Sequence, residues 1–495
     1  MRRGVARERA LALAVTQNTS GGAGLSLPSG AQIGIIGDSI VVLGVADNAS
    51  ANLTTLGTTD KSELLWAQFF LPTFRSDVYP SDETTNTTAG VLAHKYYSGR
   101  IMGTGGDKSN QTKDRFSLAL NFTGNLPSNT GGETAAATKA RSMTFFLPDV
   151  VIYATGTNNL ATGDTIMADL QSAFDTWKAA GKAANTFMPA TIRPFGASTD
   201  SGTDKAVQFP IRNQQIRDFC TTNGLTCMDL AYAYCGDTAW HPADGSDPAV
   251  PGGAWLGNLH PYATACYVGG LYIASVLTPC FTGTTPFFDG TAGLASANAN
   301  DETGGGTPTS SGLTGLLSGS RTARWSVTTT SAASTCVVST EDNGDGTRNM
   351  VLTITPLGSA ALDPFTIAWS ISQSVTSPTD YRSTWVRFVA PVQIDASDYW
   401  GPVRALISGG GGNRGSFAGD STVNIACSLR NGWLISQPFL VPAGATTINF
   451  QIIVNVRAAA AVAGSSPAMV FRLLGRTATH GVRIIPETNP IPTGG

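Results

Sequence analysis

Partway along this chain the apolar residues change their period, and that change limits the fold more than any other feature. Up to residue 282, short apolar runs alternate with patterns of helical spacing; beyond residue 312, apolar residues fall on every second position. A period of two marks a half-buried strand and a period near 3.6 marks a helix face, so one chain carries two architectures. Between them, Thr291 to Gly312 (TAGLASANANDETGGGTPTSSG) reads as the heart of a linker over 283–312. All eight lysines lie at or before Lys205. A length of 495 residues agrees with more than one folding unit.

In the first region, Ile33-Gly34-Ile35-Ile36 is a short buried strand ending at Gly37. Val150 to Tyr153, Thr186 to Ile192 and Leu225 to Leu230 read as three more. Ile166, Leu170, Ala173, Phe174 and Trp177 share a helix face, as do Ala263, Cys266, Gly270, Ile273 and Leu277. Pro210 is read as the first residue of a helix carrying Ile211, Ile216 and Phe219. Strands alternating with helices predict a three-layer α/β/α domain with a parallel sheet over 29–282. In the second region, Met350 to Ile354, Phe365 to Ile371 and Ile448 to Val456 alternate apolar and mostly polar residues. Turn chemistry at Asn343 to Gly346 and Gly409 to Gly412 separates them, predicting a β-sandwich, jelly-roll-like, over 313–495.

Composition removes several function classes. Lys plus Arg number 31 against 34 Asp plus Glu, so no basic nucleic-acid-binding surface is expected. No apolar run approaches the roughly 18 residues of a membrane helix. The basic start MRRGVARER leads only into the short apolar stretch Ala10 to Val15, too short for a signal peptide, so 1–28 is expected to be an N-terminal extension. Seven cysteines without a Cys-x-x-Cys pair argue against a zinc ribbon. Cys220 and Cys227 flank a turn and could bridge; buried free thiols are the blander reading.

Three segments carry chemistry. Gly37-Asp38-Ser39 follows the first buried strand, where a serine is well placed for nucleophilic attack in an open α/β sheet. Asn158, in Gly156-Thr157-Asn158-Asn159, follows another strand and can aim its amide into the same crevice, although Asn in an ordinary turn reads the same way. His260, in Leu259-His260-Pro261, precedes the Ala263–Leu277 helix and can reach over the sheet; an isolated surface histidine is the plainer reading.

Taken in order, these segments resemble the SGNH (GDSL-type) hydrolase family. Ile35 to Ser39 looks like its first block, and Tyr97-Ser98-Gly99 through Gly103-Thr104-Gly105-Gly106-Asp107 like its second. Pro148 to Ile152 with Gly156-Thr157-Asn158 looks like the third, and His260-Pro261 like the fifth. The resemblance spans roughly residues 30 to 282. It implies a flavodoxin-like domain, Ser39 as nucleophile, His260 as base, and an oxyanion hole from the Ser39 amide, the Gly106 amide (Gly103 and Gly105 being nearby alternatives) and the Asn158 side chain. It implies no metal and no organic cofactor.

One position departs from the family. The aspartate usual three residues before the histidine is replaced by Gly257, followed by Asn258. Three outcomes stay open: Asp237, Asp244 or Asp247 supplies the carboxylate, a Ser–His dyad works alone, or the scaffold is silent. His241-Pro242 also follows an acid, Asp237, but runs into a loop rather than a helix, so His260 is preferred; His94 and His480 have no motif around them. The expected substrate is an acyl, above all acetyl, ester on a polysaccharide, with a lipase or thioesterase or a silent receptor-binding scaffold as alternatives. Sandwich aromatics such as Trp325, Trp369, Tyr381, Tyr399, Trp400 and Trp433 could stack on sugars or fill a core. Low charge and Gly/Thr/Ser/Asn richness resemble virion proteins such as phage tail spikes, which implies an extracellular or virion-associated setting and a homo-oligomer, a trimer for a spike, or other virion proteins as partners.

Overall fold

The computed structural model describes residues 24–38, 41, 63–76, 78–80, 97–99, 101–103, 107–120, 148–194, 204–235, 255–256, 260–261 and 263–288. Further along it describes 313–315, 317–319, 325–330, 334–344, 348–356, 362–372, 380–395, 400–408, 413–415, 432–436, 439–441, 443–457, 468–475 and 482–487. They form two compact units, the first reaching Phe287 and the second starting at Phe288. Residues 1–23 of the expected extension and 289–312 of the expected linker lie outside the described residues.

In the first unit the elements run β1 (Ile33–Gly37), α1 (Glu63–Phe70), β2 (Val78–Pro80), β3 (Tyr97–Gly99), β4 (Ile101–Gly103), α2 (Ser109–Leu120), β5 (Val150–Ala154) and α3 (Ile166–Ala179). They continue as β6 (Phe187–Pro189), α4 (Asp204–Asn223), α5 (Leu230–Cys235), β7 (Trp255–Leu256), β8 (His260–Pro261) and α6 (Ala263–Leu277). The main sheet is parallel, in the order β4-β1-β5-β6. A parallel bridge from Ala190 to Met228 adds one more segment beyond β6. The order of parallel segments is therefore second, first, third, fourth, fifth, the flavodoxin-like arrangement. All residues of β1 and β5 are buried, as a sheet covered on both faces requires. α2 packs on α3 and α3 on α4, while α6 packs on α1 and α5.

The helix read from Ile166 to Trp177 forms as Ile166–Ala179 with Ile166, Leu170, Ala173, Phe174 and Trp177 buried. Phe116 of α2 stacks on Trp177 at 5.9 Å and meets Tyr153 of β5 at 5.7 Å, which joins α2 and α3 to the sheet. One expectation fails: α4 starts at Asp204, and Pro210 sits inside it. The reason is local. Asp204 accepts from the Thr162 amide (2.5 Å) and hydroxyl (2.6 Å), so the first turn is tied down upstream of the proline. The strand expected over Leu225 to Leu230 shortens to the Met228 bridge, supported by Thr191 N donating to Met228 O at 3.0 Å. Cys220, Cys227, Cys266 and Cys280 are buried thiols, none of them in a disulfide.

The second unit is all β: β9 (Leu313–Thr314), β10 (Leu317–Gly319), β11 (Ser326–Thr329), β12 (Thr335–Asp342), β13 (Arg348–Thr355), β14 (Leu362–Ser372) and β15 (Trp385–Ile394). There follow β16 (Trp400–Ser408), β17 (Asn413–Gly415), β18 (Gly432–Ile435), β19 (Phe439–Leu440), β20 (Thr447–Arg457), β21 (Met469–Leu473) and β22 (Arg483–Glu487). One sheet runs β10-β12-β13-β21-β15-β18, with β19 and β22 also on β15; the other runs β17-β16-β20-β14-β11-β9. The two sheets meet face to face at Phe388 of β15, whose ring lies 5.2 Å from Phe450 of β20 and 6.5 Å from Trp325. The period-two residues Met350, Leu352, Ile354, Phe365, Ile367, Ile448, Phe450, Ile452, Val454 and Val456 are all buried, so the alternation does select the inner faces. Trp325 and Tyr381 are buried too, which removes them from any sugar-stacking surface. Tyr399 and the Gly409 to Gly412 turn lie outside the described residues, as do the side chains of Trp369 and Trp400.

Candidate active site

In an open parallel sheet the ligand crevice forms where the strand order reverses, outside the carboxyl ends of the strands. Here that place is between β1 and β5. The register sets Gly37 beside Ala154 on one side and beside Gly103 on the other. The segments that follow these three aligned residues are Asp38-Ser39, Gly106-Asp107 and Thr155 to Asn159. The sheet thus brings Asp38, Asp107 and the turn Thr155 to Asn159 toward one rim, although they are far apart in the chain.

Glycine at 37 is imposed by close approach. A Cβ there would lie 2.0 Å from the Ala154 carbonyl oxygen and 2.6 Å from Val41. Gly156 has φ +117 and packs under Ile192 and Ile166, so the turn after β5 also needs glycine. That turn places Asn158 half-buried, with Nδ2 donating to the Asp107 carbonyl at 2.9 Å. The neighbouring Asn159 takes Ser109 N–H on Oδ1 at 3.1 Å and donates from Nδ2 to Ser109 Oγ at 2.8 Å. Ser109 Oγ donates in turn to Asp169 at 2.6 Å, which also accepts from Thr165 Oγ1 at 2.7 Å. This chain of bonds locks the start of α2 to the β5 turn.

Below the rim, Arg115 of α2 is buried against Asp107. Its Nη2 donates to Asp107 Oδ2 at 2.5 Å and to the Gly37 carbonyl at 3.1 Å. Burial pulls this guanidinium below its ordinary pKa, with the Asp107 carboxylate opposing. A second buried cluster joins Glu63 of α1, Arg193 just beyond β6, and Tyr234 of α5. Arg193 Nε donates to Glu63 at 2.7 Å, Nη2 donates to the second oxygen, and the Tyr234 hydroxyl donates to the first. Burial works against the Arg193 charge, but Glu63 outweighs it and the guanidinium is held above its ordinary value. Burial, aided by Glu63, likewise pushes the Tyr234 hydroxyl up.

The backbone of His260 lies in the short antiparallel pair β7–β8, opposite Leu256. α6 follows it. The turn that ends the helix meets the segment leading into β1, where Leu27 N donates to Cys280 O at 2.7 Å. Its 15 residues span roughly 22 Å, so its start lies toward the carboxyl rim. Gly269 in its first half agrees, since a Cβ there would lie 2.4 Å from the Tyr234 hydroxyl and 3.0 Å from Glu63, the partner of the rim residue Arg193.

Ser39, Gly106, Gly105, Gly257, Asn258, Asp237, Asp244, Asp247 and His241 lie outside the described residues, and so does the His260 side chain. Among the predicted site residues, Asn158 is described in full, and it meets the residue that follows Gly106. Sequence reasoning missed Arg115, Asn159 and the Glu63–Arg193–Tyr234 cluster. The only signal for Arg115 was its place eight residues after Asp107, a spacing many surface helices share. Nothing in the sequence links Glu63 to Arg193.

No family model and no curated protein matches the chain. Solved structures do. One is a member of the lipolytic G-D-S-L family from Veillonella parvula, with 12% identity over 50% of this chain and 98% of that one, at a TM-score of 0.29. Another is an acetylxylan esterase from Geobacillus stearothermophilus, solved as a catalytic mutant, with 15% identity over 51% and 96% of the two chains and a TM-score of 0.29. A third is a set of carbohydrate-binding modules from the β-sandwich superfamily, with 12% identity over 30% of this chain at a TM-score of 0.21; the match spans 54% of that chain.

Proposed function

We propose that the chain is a serine esterase that removes acyl groups, acetyl above all, from a polysaccharide. The observation that carries this reading is the register that sets Gly37, Gly103 and Ala154 side by side. It supports convergence of the Ser39, Gly106 and Asn158 segments on one crevice. In this reading His260 Nε2 takes the Ser39 proton as the hydroxyl oxygen attacks the ester carbonyl. The oxyanion is met by the amides of Ser39 and Gly106 and by Asn158. Asn158 uses one Nδ2 proton to hold Asp107 O, which leaves the other for the oxyanion. His260 then protonates the leaving sugar oxygen as its bond to the acyl carbon breaks, and water, activated by the same imidazole, releases the acid. Solved structures similar to this chain include acetylxylan esterases and carbohydrate-binding modules, in keeping with a glycan ester.

The test is hydrolysis of p-nitrophenyl acetate and release of acetate from acetylated xylan, by the intact chain and by Ser39→Ala. Turnover that vanishes in the variant is the expected result. A preference for long acyl chains would move the assignment to a lipase. Gly257 in the acid position favours one second reading, a silent scaffold that binds glycan, and glycan binding without turnover in the intact chain would establish it.

A further inference from the structure

We infer that Arg115 is a positioning residue that holds two walls of the oxyanion pocket together; this rests on the esterase reading above. One nitrogen, Nη2, donates both to the carbonyl of Gly37 (3.1 Å), two residues before Ser39, and to the carboxylate of Asp107 (2.5 Å), one residue after Gly106. Asp107 is gripped a second time, at its own carbonyl, by Asn158 Nδ2 (2.9 Å). The three segments assigned to the oxyanion hole are therefore coupled through a single residue. Arg115 sets the distance between β1 and the Asp107 turn, and Asn158 sets the distance from that turn to β5.

Stability alone does not account for this arginine. It is 3% exposed, yet its Nε and Nη1 find no hydrogen-bond partner among the described residues. A buried pair with unmet donors is commonly no better than an apolar pair of the same volume. Its neighbour Phe116 shows that apolar packing is available at this depth. What an apolar pair cannot do is hold a backbone carbonyl and a turn carboxylate at fixed separation, and a pocket that must present preorganised amides depends on that.

The experiment compares the intact chain with Arg115→Met, Arg115→Lys, Asn158→Ala and Arg115→Met/Asn158→Ala. It measures kcat and KM on p-nitrophenyl acetate, and amide hydrogen exchange in peptides covering 35–41, 101–109 and 150–154. Arg115→Met is expected to lower kcat by about 10- to 100-fold with KM changed less than about threefold. Arg115→Lys, which keeps the charge, should recover part of the loss. Adding Asn158→Ala to Arg115→Met should cost less than Asn158→Ala costs alone, because the Asn158 amide meets the oxyanion fully only while Arg115 and Asp107 hold the pocket in register. Exchange should speed up in the first two peptides and not in the third. Losses that multiply, a change confined to KM, or unchanged exchange in both rim peptides would each overturn the inference. If the intact chain hydrolyses no ester, the esterase reading falls, and the exchange data still decide whether Arg115 joins the two segments. If Arg115→Met does not fold, Arg115→Lys is read in its place.

Discussion

Gly270→Ala tests how α6, and with it His260, is seated. A Cβ at this position would lie 2.3 Å from Trp66 Cβ, 2.7 Å from the Glu63 carbonyl oxygen and 2.8 Å from the Ala67 nitrogen. Ordinary contact begins near 3.4 Å, so the two helices must part by about 1.1 Å. Two of the three obstacles are backbone atoms of α1, so no rotamer change relieves them. Overpacking costs about 1–3 kcal/mol, and backbone obstacles put this site at about 3 kcal/mol. Alanine returns about 1 kcal/mol of helix propensity. The net is about 2 kcal/mol, which in a unit of this size lowers Tm by roughly 4–8 °C. Because α6 starts two residues after Pro261, the same displacement should move the imidazole and lower kcat on p-nitrophenyl acetate by about tenfold. Scanning calorimetry and initial rates on the intact chain read both effects. A Tm equal to or above that of the parent, with kcat unchanged, would mean that the helices do not touch at Gly270 and would refute the reasoning.

Four further outcomes follow from the geometry. Asn158→Ala should lower kcat by about 10²- to 10³-fold, the usual effect of losing one oxyanion donor, measured at saturating ester. Glu63→Gln leaves the Arg193 charge buried without its carboxylate and should cost about 3–5 kcal/mol, read as a fall in the urea midpoint. Phe388→Ala empties the space between the two sandwich sheets and should cost about 3–5 kcal/mol, seen in the transition of the second unit. Burial pushes the Cys336 thiol up to about 12 from an ordinary 9.0. A raised folded pKa means stability that is complete below pH 9.0 and lost as pH rises toward about 12. The stability of Cys336→Ala should therefore fall less steeply across that window, and parallel pH curves for the two chains would contradict this.

Much of the fold could be read from periodicity, because burial on one or both sides of a strand leaves a direct trace in the sequence. The runs at Ile33 and Val150 became the two central strands, and the alternation from Ile448 to Val456 became the buried face of β20. Proline misled at position 210. Its ring favours a first turn, but a carboxylate six residues earlier, bonded to a loop from another part of the chain, fixed the true start. The place of Asn158 in the turn after β5 was legible because a buried apolar run ends just before it. The roles of Arg115, Asn159 and Arg193 were not, because each acts on a partner brought near only by the assembled sheet. Long-range polar pairs have no period and no fixed spacing, so only the topology reveals them.

The buried thiols turn the molecule into its own probe of local opening. Cys220, Cys227, Cys266 and Cys280 sit in the first unit and Cys336 in the second, each sheltered from solvent. An alkylating reagent can modify such a sulfur only while the surrounding structure is transiently apart. The labelling speed of each, divided by that of an unstructured cysteine peptide, yields an opening free energy at five known depths. No engineered label is required, and the two halves of the chain can be monitored separately in one mass spectrum.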